Sequence, residues 1–315
     1  MKIGIFDSGL GGLIIAKAIR KAMPEYDYVY LGDTKRVPYG NRSHEAVYEF
    51  TCEAVDYLFR KENCAIIIIA CNTSSARALR RIQQEYLVEY NVTRRLMGDY
   101  ERKVLGVLIP AAEEAAKYKK VGILGTSGTI NSNTFPKEIK KINLKNKKGL
   151  LLFHGSHSNL NVVNESNIAY AEKSTNPSYF ITTVFQNSAP MLVPLIEEGE
   201  KVLALQFIKK YLKPFVTKKL DALVLGCTHY PFYKKEIKKI LNEGNKSARG
   251  RTRVISQDEI IPKKLKDYLL KHSEIEKKLS KNKKAKILVT DITPNIKKLS
   301  QKWFGKIAKP QLVNL

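Results

Sequence analysis

Short apolar runs, each bounded by glycine or polar turns, alternate along the chain with amphipathic stretches. The runs Ile3–Phe6, Tyr28–Leu31, Ala65–Ala70, Val104–Leu108, Val121–Leu124, Ala222–Leu225 and Ile287–Val289 are predicted strands. Several are unbroken β-branched or leucine stretches, as expected of parallel strands buried on both faces. Between them the period changes. Leu79, Ile82 and Tyr86 fall on one helical face after Cys71, and Tyr233, Ile237, Ile240 and Leu241 repeat the pattern later. Pro231 is placed to open a helix after Cys227. Strands alternating with helices predict a doubly wound α/β fold.

A weak internal echo runs through this pattern. Ile66-Ile67-Ile68-Ile69-Ala70-Cys71-Asn72-Thr73 resembles Ala222-Leu223-Val224-Leu225-Gly226-Cys227-Thr228-His229. Phe6-Asp7-Ser8-Gly9 likewise resembles Leu124-Gly125-Thr126-Ser127-Gly128. The expectation is two similar α/β domains with the active site between them. The first comprises residues 1–103 joined by 256–315, and the second residues 104–255. Polar stretches at about 143–180, 242–253 and 272–286 read as insertions or loops.

Length and composition agree with this division. A chain of 315 residues suits two domains of about 100–200 residues each. Its 43% hydrophobic and 27% charged content is that of a globular protein, and no apolar run approaches the roughly 20 residues of a membrane span. The start, Met1-Lys2-Ile3-Gly4-Ile5-Phe6-Asp7, does not read as an export signal. A cytoplasmic protein with reduced thiols is therefore expected. The net charge of +25 raises the possibility of a polyanionic partner. Against it, lysines outnumber arginines about three to one and line helix faces, as in Lys234-Lys235-Glu236-Ile237-Lys238-Lys239. A solvated surface is the expectation, not a nucleic-acid site.

Candidate chemistry concentrates at strand ends, where ligands sit in open α/β sheets. Asp7-Ser8, Cys71-Asn72-Thr73 and Cys227-Thr228-His229 all fall there. Small polar residues and helix N-terminal N–H groups can hold a carboxylate, and the same N-termini are expected to acidify a thiol. Bland readings exist for each residue alone. Asp7 and Ser8 can cap a helix, a strand-end cysteine can be structural, and His229 can be a core residue. Cys52 and Cys64 read as buried small residues. The glycines of Asp7-Ser8-Gly9-Leu10-Gly11-Gly12 do not match a dinucleotide loop, nor Gly125-Thr126-Ser127-Gly128-Thr129 a Walker loop. Cys227 and His229 are too few ligands for a zinc site, so no metal is expected.

Taken together, five segments resemble the cofactor-independent glutamate racemases of the aspartate/glutamate racemase superfamily. They are Gly4-Ile5-Phe6-Asp7-Ser8-Gly9-Leu10-Gly11-Gly12-Leu13; Tyr30-Leu31-Gly32-Asp33-Thr34 through Pro38-Tyr39-Gly40; Ala70-Cys71-Asn72-Thr73; Pro190 through Gly199; and Leu225-Gly226-Cys227-Thr228-His229-Tyr230-Pro231. They stand in family order and span most of the chain outside the three insertions. The resemblance implies a small-molecule substrate, L- or D-glutamate, no cofactor, a homodimer and supply of D-glutamate for peptidoglycan. It implies that Cys71 deprotonates D-glutamate and Cys227 L-glutamate, each reprotonating the intermediate made by the other. Asp7 and His229 then set the protonation of the two thiols, and Glu197 supports the Cys227–His229 side. Asp7, Ser8, Tyr39, Gly40, Asn72, Thr73, Thr228 and His229 match substrate-contact positions, with Thr126 and Thr129 as further candidates.

The residue types make chemical sense. Inverting an α-carbon requires removing its proton from one face and returning one to the other, which two opposed bases accomplish. Cysteine can serve as thiol or thiolate near neutrality. Two departures stand out: Asn187-Ser188-Ala189-Pro190 where the family more often has Ala-Cys-Pro, and Ile255-Ser256-Gln257-Asp258-Glu259 where it more often has Asp-Ser-Gly-Ala-Glu. Two alternatives stay open on sequence alone. One is a racemase of aspartate or another acid. The other is a binding module for nucleic acid or protein on the same scaffold, marked by steeply salt-dependent binding without turnover.

Overall fold

The computed structural model describes residues 1–154, 180–243 and 251–315, with side chains described outside 146–154. Among the described residues ten strands form two wholly parallel sheets. The first holds β1 (Lys2–Asp7), β2 (Tyr28–Gly32), β3 (Cys64–Ile69), β4 (Lys103–Gly106), β9 (Ala285–Val289) and β10 (Pro310–Leu312), in the order β10-β9-β2-β1-β3-β4. The second holds β5 (Lys120–Gly125), β6 (Thr183–Ser188), β7 (Ala222–Gly226) and β8 (Arg253–Ile255), in the order β6-β5-β7-β8. The echo in the sequence has a structural counterpart, because β2-β1-β3-β4 and β6-β5-β7-β8 share one connection order.

The apolar runs fill both faces of each sheet. On β3, Ile66 and Ile68 join one core cluster while Ile67 and Ile69 join another across the sheet. On β7, Leu223 and Leu225 face one way and Ala222 and Val224 the other. A period of two with apolar residues on both sides is why these strands read as continuous hydrophobic runs. Helices Leu13–Ala22 and Gln257–Lys271 pack on one another beside the first sheet. The helix Lys234–Leu241 buries Ile237 and exposes Lys235, Lys238 and Lys239, the solvated face read from its sequence.

Several expectations need correction. The run Val104–Leu108 is a strand only to Gly106, and Leu108 begins the helix Leu108–Ala115. β4 pairs with β3 through Ile66–Lys103 to Ile69–Gly106. A division at residue 104 would therefore cut a strand of the first sheet. The helix expected after Cys71 is three short helices, Asn72–Arg77, Leu79–Gln84 and Tyr86–Leu96. Leu79 and Ile82 are buried, whereas Tyr86 is half-buried and donates its hydroxyl to Asp56 Oδ1 at 2.7 Å. Pro231 occupies the second position of a short 3-10 turn, Tyr230–Tyr233, ahead of the helix at Lys234. Of the 143–180 stretch, residues to His154 continue the helix Thr134–His154, and 155–179 lie outside the described residues.

Candidate active site

Where strand order reverses, between β1 and β3 and between β5 and β7, loops at the carboxyl ends splay apart and leave a crevice. Both crevices face one cavity of about 260 Å³. That is slightly below the roughly 300–1,000 Å³ of drug-sized sites and suits a small amino acid. Ser8, Cys71 and Thr73 enter from the first sheet and Thr126, Cys227 and His229 from the second. Among the described residues no Lys or Arg lines it, so the donors available to an anionic ligand there are N–H groups and hydroxyls.

The first side is built on Asp7, the last residue of β1. Its Oδ2 accepts the backbone N–H groups of Gly9 at 3.3 Å and Gly12 at 3.0 Å. It thus does tie the loop into the helix Leu13–Ala22, as the capping reading held. Among the described residues its Oδ1 is buried without a hydrogen-bond partner. Burial pushes the carboxyl above its ordinary value, while the His229 imidazole and the two N–H groups pull it down. A buried carboxyl with one free oxygen is placed to exchange a proton.

Cys71 follows β3 and caps the helix Asn72–Arg77. Its Sγ accepts the Ser74 N–H at 3.4 Å and lies 3.4 Å from Ser8 Oγ. Helix position was expected to acidify this thiol, and the structure opposes that. Burial, then the charge of Asp7, push Cys71 up, against the lowering effect of the Ser8 and Ser74 hydrogen bonds. At 5% exposure, desolvation outweighs one six-residue helix. The net push on the Cys71 thiol is upward.

The second side is a relay. Cys227 Sγ lies 3.8 Å from His229 Nδ1, and His229 Nε2 lies 2.8 Å from Glu197 Oε1. Burial alone would depress the imidazole, but the Cys227 and Glu197 hydrogen bonds raise it to about 10. The edge of His229 also meets the ring of Trp303 at 86°, with centroids 5.6 Å apart. This geometry has a pH signature. An imidazole raised from about 6.5 adds folded-state stability that is complete below 6.5 and lost as pH rises toward about 10. In Glu197→Gln the His229 titration, followed by NMR, is expected to fall below that of the parent. The loss of thermal stability between pH 7 and 10 shrinks with it; an unmoved titration would remove Glu197 from the relay.

The remaining candidates divide. Ser8, Gly40, Asn72, Thr73 and Thr228 line the cavity. Tyr39 does so at its edge, but its hydroxyl goes to Asp33 Oδ2, so its ring anchors the Pro38–Gly40 loop. Thr126 bridges to Thr73 at 2.9 Å, joining the two sides, while Thr129 sits behind it, hydroxyl to hydroxyl at 3.0 Å. Glu197 also lines the cavity. Sequence reasoning gave no site role to Val37, Pro190, Met191 and Pro194, which supply the apolar wall. Their recognisable signal was only their place in the matching segments. Gly11 permits close packing between the two sides. A methyl there would stand 2.4 Å from Thr228 Oγ1 and 2.5 Å from His229 Nδ1, so the two sides touch through a missing side chain.

Twin parallel sheets closing their carboxyl ends on one cavity, with a cysteine at each side, define a two-sided α/β enzyme. No family model matches the chain. Curated relatives do. The glutamate racemase of Aquifex aeolicus is 32% identical over 319 residues, covering 100% of this chain and 98% of its own. That of Aquifex pyrophilus is 33% identical over 311 residues, covering 97% and 95%. The chain belongs to the glutamate racemase family. Among solved structures, a glutamate racemase isoform of Bacillus anthracis superposes with TM-score 0.75 at 27% identity, covering 100% of this chain and 97% of its own. The Francisella tularensis glutamate racemase, in complex with D-glutamate, gives 0.74 at 28% identity, covering 99% and 97%.

Proposed function

We propose that the chain interconverts L- and D-glutamate by a two-base mechanism in which Cys71 and Cys227 work from opposite faces of the α-carbon. The observation that carries this reading is the entry of two buried sulfurs into one cavity from the ends of two separate sheets. Cys71, as thiolate, takes the α-proton of D-glutamate, and Cys227, as thiol, delivers one to the other face; the reverse reaction exchanges these roles. Asp7 accepts and returns the Cys71 proton, and the His229 imidazolium, held by Glu197, shares a single proton with Cys227, giving it to the thiolate and holding it when the sulfur acts as base. Ser8, Asn72, Thr73 and Thr228 with nearby N–H groups hold the carboxylates, whose charge grows as the proton leaves. The α-hydrogen is far less acidic than a thiol, and orientation of substrate between the two sulfurs helps close that gap. The two units are best drawn as 1–106 with 256–315 and 107–255, following the sheets.

The reading extends to a cytoplasmic homodimer that supplies D-glutamate to peptidoglycan precursors; among the described residues no helix is long and apolar enough to cross a membrane. The D-glutamate held by the Francisella relative supports the substrate. Circular dichroism of L- and D-glutamate solutions, without added pyridoxal phosphate, tests it. Both should decay to zero ellipticity, with aspartate turned over at least about tenfold more slowly, the discrimination one methylene can give. Aspartate racemised as fast as glutamate would overturn the substrate assignment.

A further inference from the structure

Gln257 is 185 positions from Asn72 in the chain, yet their side-chain amides pair face to face. Asn72 Nδ2 donates to Gln257 Oε1 at 2.7 Å, and Gln257 Nε2 donates back to Asn72 Oδ1 at 2.6 Å. The other Gln257 N–H reaches the Val107 carbonyl at 3.4 Å. Gln257 is 1% exposed and Asn72 2%. Val107 and Gln257 lie on the two stretches where the chain crosses between the sheets, just after β4 and just after β8. Asn72 is the residue after Cys71 and the first of its helix. One amide therefore ties both crossings to the backbone that aims the Cys71 sulfur, and it stands within the segment that departs from the family pattern.

We propose that Gln257 is a positioning residue for the Cys71 side of the site: it holds the Asn72 amide, and with it the start of the helix that Cys71 caps, in the orientation needed for proton transfer. Two consequences follow from the geometry. The pairing occupies one Asn72 N–H and leaves the other for the cavity that Asn72 lines. It also leaves neither buried amide unsatisfied, so removing Gln257 frees Asn72 to turn toward another partner. The assignment rests on the two-thiol reading of the site.

The test is Gln257→Leu, which keeps bulk and removes the pairing, beside Gln257→Glu, which keeps an acceptor for Asn72 and loses the donors. A misplaced base costs on the order of ten- to a hundredfold, so kcat/KM should fall by that factor in Gln257→Leu and less in Gln257→Glu. Because enantiomers have an equilibrium constant of one, the loss is equal in both directions. The isotope effect separates positioning from general loosening. With α-deuterated D-glutamate, the enantiomer assigned to Cys71, the effect on kcat/KM should rise above that of the parent. With α-deuterated L-glutamate it should fall toward one, because the Cys71 transfer has become the slower step. An unchanged rate, or a loss that leaves both isotope effects at parent values, would overturn the role of Gln257 alone. Racemisation that survives Cys71→Ala would overturn the two-thiol reading beneath it.

Discussion

Cys71→Ala and Cys227→Ala are each expected to lose glutamate racemisation in both directions, by about 10³-fold or more. General acid–base groups contribute about 10²–10⁴-fold, and each thiol acts as base in one direction and acid in the other. One missing sulfur therefore blocks both directions. Neither variant should unfold the chain. Cys71 and Cys227 are buried small side chains whose loss removes one sulfur from a cavity wall rather than from the packed centre of a sheet. Polarimetry of D- and L-glutamate with a thermal melt on the same samples checks this. A folded variant that still racemises one enantiomer at near-parent rate would contradict it.

Gly11→Ala should be the most damaging change outside the reacting groups. The added methyl meets Thr228 Oγ1 at 2.4 Å and the His229 ring at 2.5 Å, and ordinary contact requires about 1 Å of retreat. A 1 Å misplacement of reacting groups can cost about 10²-fold, whereas overpacking typically costs about 1–3 kcal/mol of stability. Activity should therefore fall about a hundredfold while the melting midpoint moves by a few degrees. Steady-state kinetics and calorimetry on one preparation decide it. Unchanged kcat/KM would show that the glycine loop and the Cys227 loop do not need this close approach.

The interior of the fold was legible because burial on both faces leaves a strand little choice but apolar residues, as in Cys64–Ile69. The edges were not. β6 reads Thr-Val-Phe-Gln-Asn-Ser, β8 has three residues, and β10 is largely exposed. Edge strands need no continuous apolar run, so nothing in these segments distinguished them from loops. The end of β4 was hidden for a related reason: Leu105 and Leu108 look alike in sequence, but only the first lies in the strand.

The site was legible as a set of strand ends, less so as chemistry. Cys71, Cys227, Ser8 and His229 line one cavity, and the buried Asp7 is not part of its lining. The upward push on the Cys71 thiol is not legible in the sequence, because helix position is visible there and desolvation is not. Tyr39 looked like a ligand contact, but its hydroxyl turns inward to Asp33. Gln257 is visible in the sequence only as part of a departure from the family pattern, since an amide pair across 185 positions exists only after both crossings are folded.

The central claim is that the proton leaving one face and the proton arriving on the other belong to different groups. Racemisation of protiated D-glutamate in deuterated water, stopped after a few per cent conversion, tests it most directly. NMR and chiral separation then report α-deuterium in each enantiomer. Two thiols predict L-glutamate that carries solvent deuterium from its first appearance, beside D-glutamate that keeps most of its protium. L-glutamate that retains the original hydrogen, or D-glutamate that exchanges far faster than it inverts, would contradict two bases on opposite faces.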